Sequence, residues 1–328
     1  MRHLLRRTGF YLVALWAAVT FNFIIPRLMP GDPALAYLAR IQSKTSNPAQ
    51  LDALRKLFGV DPSVPIWKQY LDYLNGLLHG NLGTSVWLFP TSVMDILRQS
   101  LPWTIGLVGV ALTLSFLIGT LVGMFIAWRR GSWYDSAIPP ILTFLSAVPY
   151  FWMALGLVYV FAFTLNWFPT DSGYDVFNVY PGLSIDFIGS VAQHAILPVL
   201  TLVIGSLAGW VLTMRNTMVT TLSEDYVLMA QAKGLPERNV MFRYAARNAI
   251  LPSITSFSIS LGLVVSGSLL TEIVFNYPGI GYALYNAVQN NDYALVEGCF
   301  LVIALAVLIA NFLSELLYTF LDPRVRRS

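Results

Sequence analysis

Membrane-length apolar stretches recur along this 328-residue chain, and nothing else in the sequence limits its fold so tightly. About six can be read, at roughly residues 8–25, 101–128, 137–165, 195–214, 250–271 and 298–320. A helix needs about 20 apolar residues to cross a hydrocarbon core of about 30 Å. In lipid only helices and closed barrels satisfy their own backbone polar groups, and a barrel would show alternating segments of about ten residues. The expected fold is therefore all-α and integral to a membrane, with six transmembrane helices. Composition agrees: 56% of residues are hydrophobic and 11% charged, against roughly a quarter charged in a soluble domain.

The charges that remain set an orientation. Arg2, Arg6 and Arg7 precede the first stretch, and Arg129 and Arg130 follow the second. Arg215, Lys233, Arg238, Arg243 and Arg247 lie between the fourth and fifth, and Arg324, Arg326 and Arg327 close the chain. Residues 166–193 and 276–293 hold no Lys or Arg but contain Asp171, Asp175, Asp186 and Asp292. Basic loops stay in the cytoplasm, so both termini are expected there. The first stretch ends in Ile24-Ile25-Pro26-Arg27 rather than small residues, which favours an uncleaved anchor over a removable signal. The net charge of +3 carries no indication of nucleic acid, and the single Cys299 allows no disulfide framework.

The expected organisation is an N-terminal membrane helix (1–30), an extracytoplasmic helical segment (31–100), a membrane core (101–320) and a cytoplasmic tail (321–328). The external segment opens with the turn Pro30-Gly31-Asp32-Pro33. Leu51, Leu54 and Leu57 predict an amphipathic helix over 48–58, and Ile66, Tyr70, Tyr73, Leu74 and Leu77 a second one. A short third helix is expected near 92–99. Gly106, Gly109, Gly119 and Gly123 in the second stretch allow close helix approach, and Pro139, Pro140, Pro149, Pro198 and Pro252 punctuate the others.

One polar segment, 215–248, is far longer than a connector needs. Good helix formers run over 222–233, with Glu224 and Asp225 where acidic groups suit a helix N-terminus. Gly234 can end that helix in a left-handed conformation, Pro236 can open the next, and Arg238, Arg243 and Arg247 ride on it up to Ile250-Leu251-Pro252. Two short helices bent at a glycine make a compact knob that a soluble partner could grip. The alternative is a basic surface pair that only obeys the charge rule. No phosphate-binding loop of the form Gly-x-x-x-x-Gly-Lys-Ser/Thr is present, so any use of ATP would be borrowed.

Ala230-Gln231-Ala232-Lys233-Gly234-Leu235, with Asn248-Ala249-Ile250-Leu251-Pro252, resembles the coupling motif of ABC-importer permeases in the variant of the oligopeptide/dipeptide branch. The resemblance spans nearly the whole chain. It includes Leu57-Phe58-Gly59-Val60-Asp61-Pro62 with Gln69-Tyr70, Gly80-x-x-Gly83-x-Ser85, and Glu272-x-x-Phe275-x-x-Pro278-Gly279-x-Gly281. Asp292-Tyr293 and Leu321-Asp322-Pro323-Arg324 also match. Asn81 and Ala294 depart from the pattern's usual Asp and Pro, which bears on external packing or substrate handling.

The chain thus looks like the first permease of a pair, a multi-pass component of a bacterial cytoplasmic membrane that imports di- or oligopeptides by alternating access. The resemblance implies a cytoplasmic coupling helix between spans four and five that contacts the ATPase through Glu224, Tyr226, Ala230, Ala232, Lys233, Gly234, Arg238, Arg243 and Arg247. Glu272, Ser258 and Gly262 are candidates for the translocation path. Implied partners are a homologous second permease, two ATPase subunits, an extracytoplasmic solute-binding protein and membrane lipid. No cofactor is expected in this chain, since ATP and Mg²⁺ belong to the ATPases. Nor is a catalytic or metal site expected, because His3, His79 and His194 are scattered. The same machinery carries oligosaccharides or nickel in other systems. An ion-coupled transporter would place ionisable groups mid-span, where this sequence has none, and a membrane enzyme would cluster them.

Overall fold

The computed structural model describes residues 2–41, 48–264 and 269–321; the side chains of 2–8, 262 and 313–321 lie outside that description. Among these residues the regular elements are helices, with one isolated bridge between Thr84 and Ser92. The chain divides into two compact units. One comprises Met1–Ile105, Val265–Ile273 and Pro278–Ser328; the other comprises Gly106–Val264 and Val274–Tyr277.

In the first unit α1 (Arg2–Arg27) lies along α15 (Tyr293–Leu321). The segment expected to be external holds α2 (Pro33–Arg40), α3 (Pro48–Leu57) and α4 (Ile66–Leu78). The last two match the apolar spacing. α2 was not anticipated, although its start is written in the sequence. Asp32 is extended and accepts from the N–H of Ala34 (2.9 Å) and of Leu35 (3.4 Å), and Pro33 occupies the first turn. An acceptor at the cap followed by a residue that lacks an N–H is a favourable helix opening. Arg55 Nε on α3 donates to the other oxygen of Asp32 at 2.8 Å, tying the two helices. Ala34, Phe58 and Val86 bury themselves together beneath them.

The same unit holds a larger core, formed by the start of α5 (Val93–Trp128), α14 (Ile280–Gln289) and the start of α15. Val93, Ile96 and Leu97 pack there with Ile280, Leu284, Leu295 and Cys299. The short helix expected at 92–99 is not separate: it forms the first turns of α5, which continues through Pro102 for 36 residues.

In the second unit α6 (Trp133–Ala147) and α7 (Tyr150–Leu157) pack against α8 (Ile185–Leu222). The stretch expected as a span at 137–165 is two helices: α6 and α7, with the π-helical turn Val158–Thr164 that prolongs α7, are bent by 97°. Pro149 explains the break. Its ring pushes the preceding residue out of the helical region, and Val148 is extended at φ −73°, ψ 124°.

α5 and α8 meet at two glycines. A Cβ on Gly119 would strike the side chain of Trp210, and one on Gly123 would lie 2.9 Å from Cβ of Met214. Small residues let helices approach closely in lipid. Gly106 and Gly109 have open space instead.

Among the described residues four helices are long and apolar enough to cross a membrane, Gly9–Arg27, Val93–Trp128, Ile185–Leu222 and Tyr293–Phe312, and there are five if the bent pair is counted as one span. The stretch at 250–271 contributes α12 (Leu251–Gly262) and the start of α13 (Leu269–Val274), with 265–268 outside the described residues. At 1.5 Å per residue α12 is about 18 Å long, too short alone for a core of about 30 Å.

Candidate functional site: the polar knob and two buried carboxylates

α8 is 38 residues long, about 57 Å at 1.5 Å per residue, nearly twice a bilayer core. It therefore carries the expected polar segment's first residues, Arg215 to Leu222, on its own final turns. Arg215 Nε donates to Asp135 on α6 at 2.6 Å, and the N–H of Gly131 donates to the other oxygen of Asp135 at 3.0 Å.

The chain reverses at Ser223 and forms α9 (Asp225–Ala232). Gly234 then takes φ +71°, a left-handed value that favours glycine. Pro236 precedes α10 (Glu237–Asn239), the π-helical turn Val240–Ala246 and α11 (Arg247–Ala249). The two arms close on small apolar side chains. Val227 and Ala230 of the first arm are buried with Val240, Ala245, Ala246 and Ala249 of the second, over Met124, Met214 and Met218. A fully buried Val or Met is worth about 1.5–3 kcal/mol relative to exposure, so the knob is a packed body rather than a loose loop. Thr217 donates to the carbonyl of Ala249 at 2.9 Å, and Asn248 donates to the hydroxyl of Tyr226 at 2.8 Å.

Of the residues singled out in this segment, Glu224, Tyr226, Ala232, Lys233, Gly234, Arg238, Arg243 and Arg247 stand at the surface. Ala230 does not. It is buried, and its methyl group is part of the packing that joins the arms. The structure adds Leu228, Met229, Phe242 and Tyr244, large apolar groups exposed on the two arms, of which the second carries the three arginines. Composition alone concealed them, because in a helical stretch such residues read as the buried face.

Glu272, taken from the sequence as a path candidate, is fully buried. Thr104 donates to one carboxylate oxygen at 2.8 Å, and the N–H groups of Gly281 and Tyr282 donate to the other at 2.7 and 3.3 Å. The N–H of Ile280 donates to Thr104 Oγ1 at 2.8 Å. The carboxylate and Thr104 thus cap the otherwise unpaired N-terminus of α14. Both glycines of the motif follow from this. A Cβ on Gly279 would run into the carboxylate and the Thr104 hydroxyl, and one on Gly281 would come within 2.7 Å of Leu269 Cα. Glu272 thus has partner groups on both carboxylate oxygens and no exposed surface within this chain. Ser258 is half-buried on α12 and donates to the carbonyl of Ile254 at 3.0 Å. The surroundings of Gly262 lie outside the described residues.

Asp292, also fully buried, joins motifs some 200 positions apart. It accepts from the hydroxyl of Ser85, the N–H of Trp87 (3.0 Å) and the N–H of Leu295 (3.1 Å). Burial pushes its carboxyl above the usual range, opposed by the Ser85 hydroxyl and those N–H groups. Tyr293 next to it donates to the carbonyl of Gly31 at 3.0 Å.

The loop at 165–184 shows unusual apolar exposure: Phe177 is 93% exposed, Tyr180 90% and Leu183 98%. Asp175 holds its turn by accepting from the N–H of Phe177 (3.0 Å) and of Asn178 (3.1 Å).

Comparison with known proteins agrees with this architecture. Residues 119–327 match the family model described as "binding-protein-dependent transport system inner membrane component", and residues 1–108 match the model for that component's N-terminal part. A peptide permease protein of Brucella suis is 35% identical, over 99% of both chains. A di/tripeptide transport system permease protein of Pseudomonas aeruginosa is 33% identical, over 98% of this chain and 97% of its own. An oligopeptide transport system permease protein of Bacillus subtilis is 30% identical, over 98% of each. With coverage end to end in both units, this chain belongs to the family of binding-protein-dependent transport system inner membrane components and is a multi-pass protein of the cytoplasmic membrane.

Proposed function

We propose that this chain is one of two membrane subunits of an ATP-driven importer of short peptides, working by alternating access. The observation that carries this reading is the knob between α8 and α12. It is internally packed, so it can move as a body, and its arms present arginines and exposed Leu228, Met229, Phe242 and Tyr244. A groove with an apolar floor and an acidic rim on a soluble ATPase would suit it. The chain has no phosphate-binding loop of its own, so ATP and Mg²⁺ sit on that partner.

In this reading the chain crosses the membrane six times with both termini in the cytoplasm. The spans are α1, α5, the bent α6–α7 pair, α8, α12 with the residues after it, and α15. α12 lines the solute path through Ser258 and Gly262 beside a homologous second permease. The apolar loop carrying Phe177, Tyr180 and Leu183 faces outward, where a solute-binding protein delivers its cargo. Peptides are the substrate class because each of the three relatives is named for peptide, di/tripeptide or oligopeptide transport.

The test is uptake of a labelled dipeptide into proteoliposomes holding this chain, its neighbouring permease, the ATPases and the binding protein. Uptake should require ATP, and Arg243→Glu should abolish it while ATP hydrolysis and membrane insertion persist. ATP-independent uptake driven by an ion gradient would point to a secondary transporter. ATP-driven uptake of nickel or an oligosaccharide in place of peptide would overturn the substrate.

A further inference from the structure

At about 3.6 residues per turn, α4 divides into three faces. Tyr70, Tyr73 and Leu77 share one and are half-buried; Lys68, Asp72 and Asn75 share another and are exposed. Between them runs an apolar stripe that this chain leaves uncovered: Trp67 is 63% exposed, Leu71 53% and Leu78 85%. No charged side chain interrupts the stripe. Apolar side chains exposed singly are ordinary, but a contiguous set on one helix marks a surface that something covers.

The half-buried face shows where the stripe lies. The Tyr70 and Thr20 hydroxyls are hydrogen-bonded at 2.7 Å, and Asn22 Nδ2 donates to the Tyr73 hydroxyl at 3.3 Å. The rings of Tyr70 and Tyr73 stand 5.2 and 5.5 Å from that of Phe23. All three partners belong to α1, whose membrane-length apolar part is Gly9–Arg27. Those 19 residues measure about 28 Å at 1.5 Å each, which leaves no slack across a core of about 30 Å. Thr20 therefore lies about 10 Å inside the Arg27 end of the span. A tyrosine side chain cannot reach that depth from a helix lying clear of the membrane, so α4 sits at the edge of the hydrocarbon core.

The surface it joins there is itself lipid-facing. Trp16 is one turn deeper than Thr20 on the same face of α1 and is 62% exposed. The stripe on α4 thus continues the apolar surface that α1 offers to lipid. A helix with one apolar and one polar side, held at this level, has the character of an interfacial helix, whose apolar face enters the boundary of headgroups and acyl chains by about 5–10 Å.

We propose that α4 lies in the leaflet at the Arg27 end of α1, with Trp67, Leu71 and Leu78 among the acyl chains and Lys68, Asp72 and Asn75 turned to water. The partner is lipid hydrocarbon. The segment between α1 and α5 is then moored to the bilayer through α4 as well as to α1 itself. The inference rests on α1 being a membrane span and needs nothing from the transport reading.

The experiment uses the full-length protein, with the subunits that accompany it, in phosphatidylcholine nanodiscs. Single variants Leu71→Cys, Leu78→Cys, Asp72→Cys and Asn75→Cys carry a nitroxide, and Trp16→Cys gives the lipid reference. Cys299 is buried, so the unsubstituted complex serves as the labelling blank. Collisions are read by electron paramagnetic resonance with oxygen, which concentrates in hydrocarbon, and with a nickel chelate, which stays in water. Labels at 71 and 78 should collide with oxygen and lose nearly all nickel collisions, as at 16, at a depth of about 5–10 Å. Labels at 72 and 75 should collide freely with nickel. The four positions on α4 are exposed, so the labelled complexes should melt with the unlabelled one. Free nickel collisions at 71 or 78 would place the stripe in water and overturn the proposal. Shielding from both probes at either position would mean that a protein partner covers it, which overturns it equally.

Discussion

Replacing Glu272 by leucine tests whether its carboxylate is the clasp that holds α14. The substitution keeps a similar volume and removes both acceptors. Three donors lose their partner: the Thr104 hydroxyl and the N–H groups of Gly281 and Tyr282. A buried donor left unpaired costs about 1–3 kcal/mol. The Thr104 hydroxyl can rotate, and the Tyr282 contact is long at 3.3 Å, so these two fall at the low end and Gly281 takes most of the loss. A total of about 3–5 kcal/mol is expected.

With about 2–4 °C of melting temperature per kcal/mol for a unit of this size, the apparent Tm in detergent should fall by roughly 6–20 °C. Limited proteolysis should open the segment 278–290 first. Glu272→Gln is the control. Its carbonyl can accept from both backbone N–H groups and its amide can donate to Thr104, so it should melt within about 3 °C of wild type. A leucine variant as stable as the glutamine variant would refute the argument, because the network would then contribute nothing beyond packing.

Other expectations follow from the same geometry. Gly119→Leu and Gly123→Leu should sharply reduce the yield of folded protein, whereas Gly109→Leu, which faces open space, should not; equal yields would argue against a close α5–α8 contact. Asp135→Ala should lower the melting temperature by several degrees, since it leaves Arg215 partly buried without its acceptor; the double variant with Arg215→Met should recover part of that loss. The raised carboxyl of Asp292 makes a pH prediction. A folded-state value above the unfolded one contributes stability below the unfolded value, near about 4, and loses it as pH rises through the folded value. Asp292→Asn should lack that slope, and identical pH–stability curves would contradict it.

Much of the membrane architecture was legible because hydrophobic length and charge asymmetry act locally along a chain. The apolar stretches, the helices α3 and α4, and the left-handed Gly234 follow from residues close in sequence, and so did the knob's two arms. The motif built on Glu272 was visible as a string of letters, but not its meaning. Thr104 reaches that carboxylate from 168 positions away, and only the fold shows that the glycines at 279 and 281 make room for it. Asp292 and Ser85 likewise meet only in space. The break at Pro149 was marked in the sequence, yet a proline in a membrane helix can kink it or end it, and the 97° bend depended on how α6 and α7 pack on α8. The fate of Ala230 was decided the same way. A helix in isolation has no inside, so which of its faces is buried is set by the neighbour it packs against.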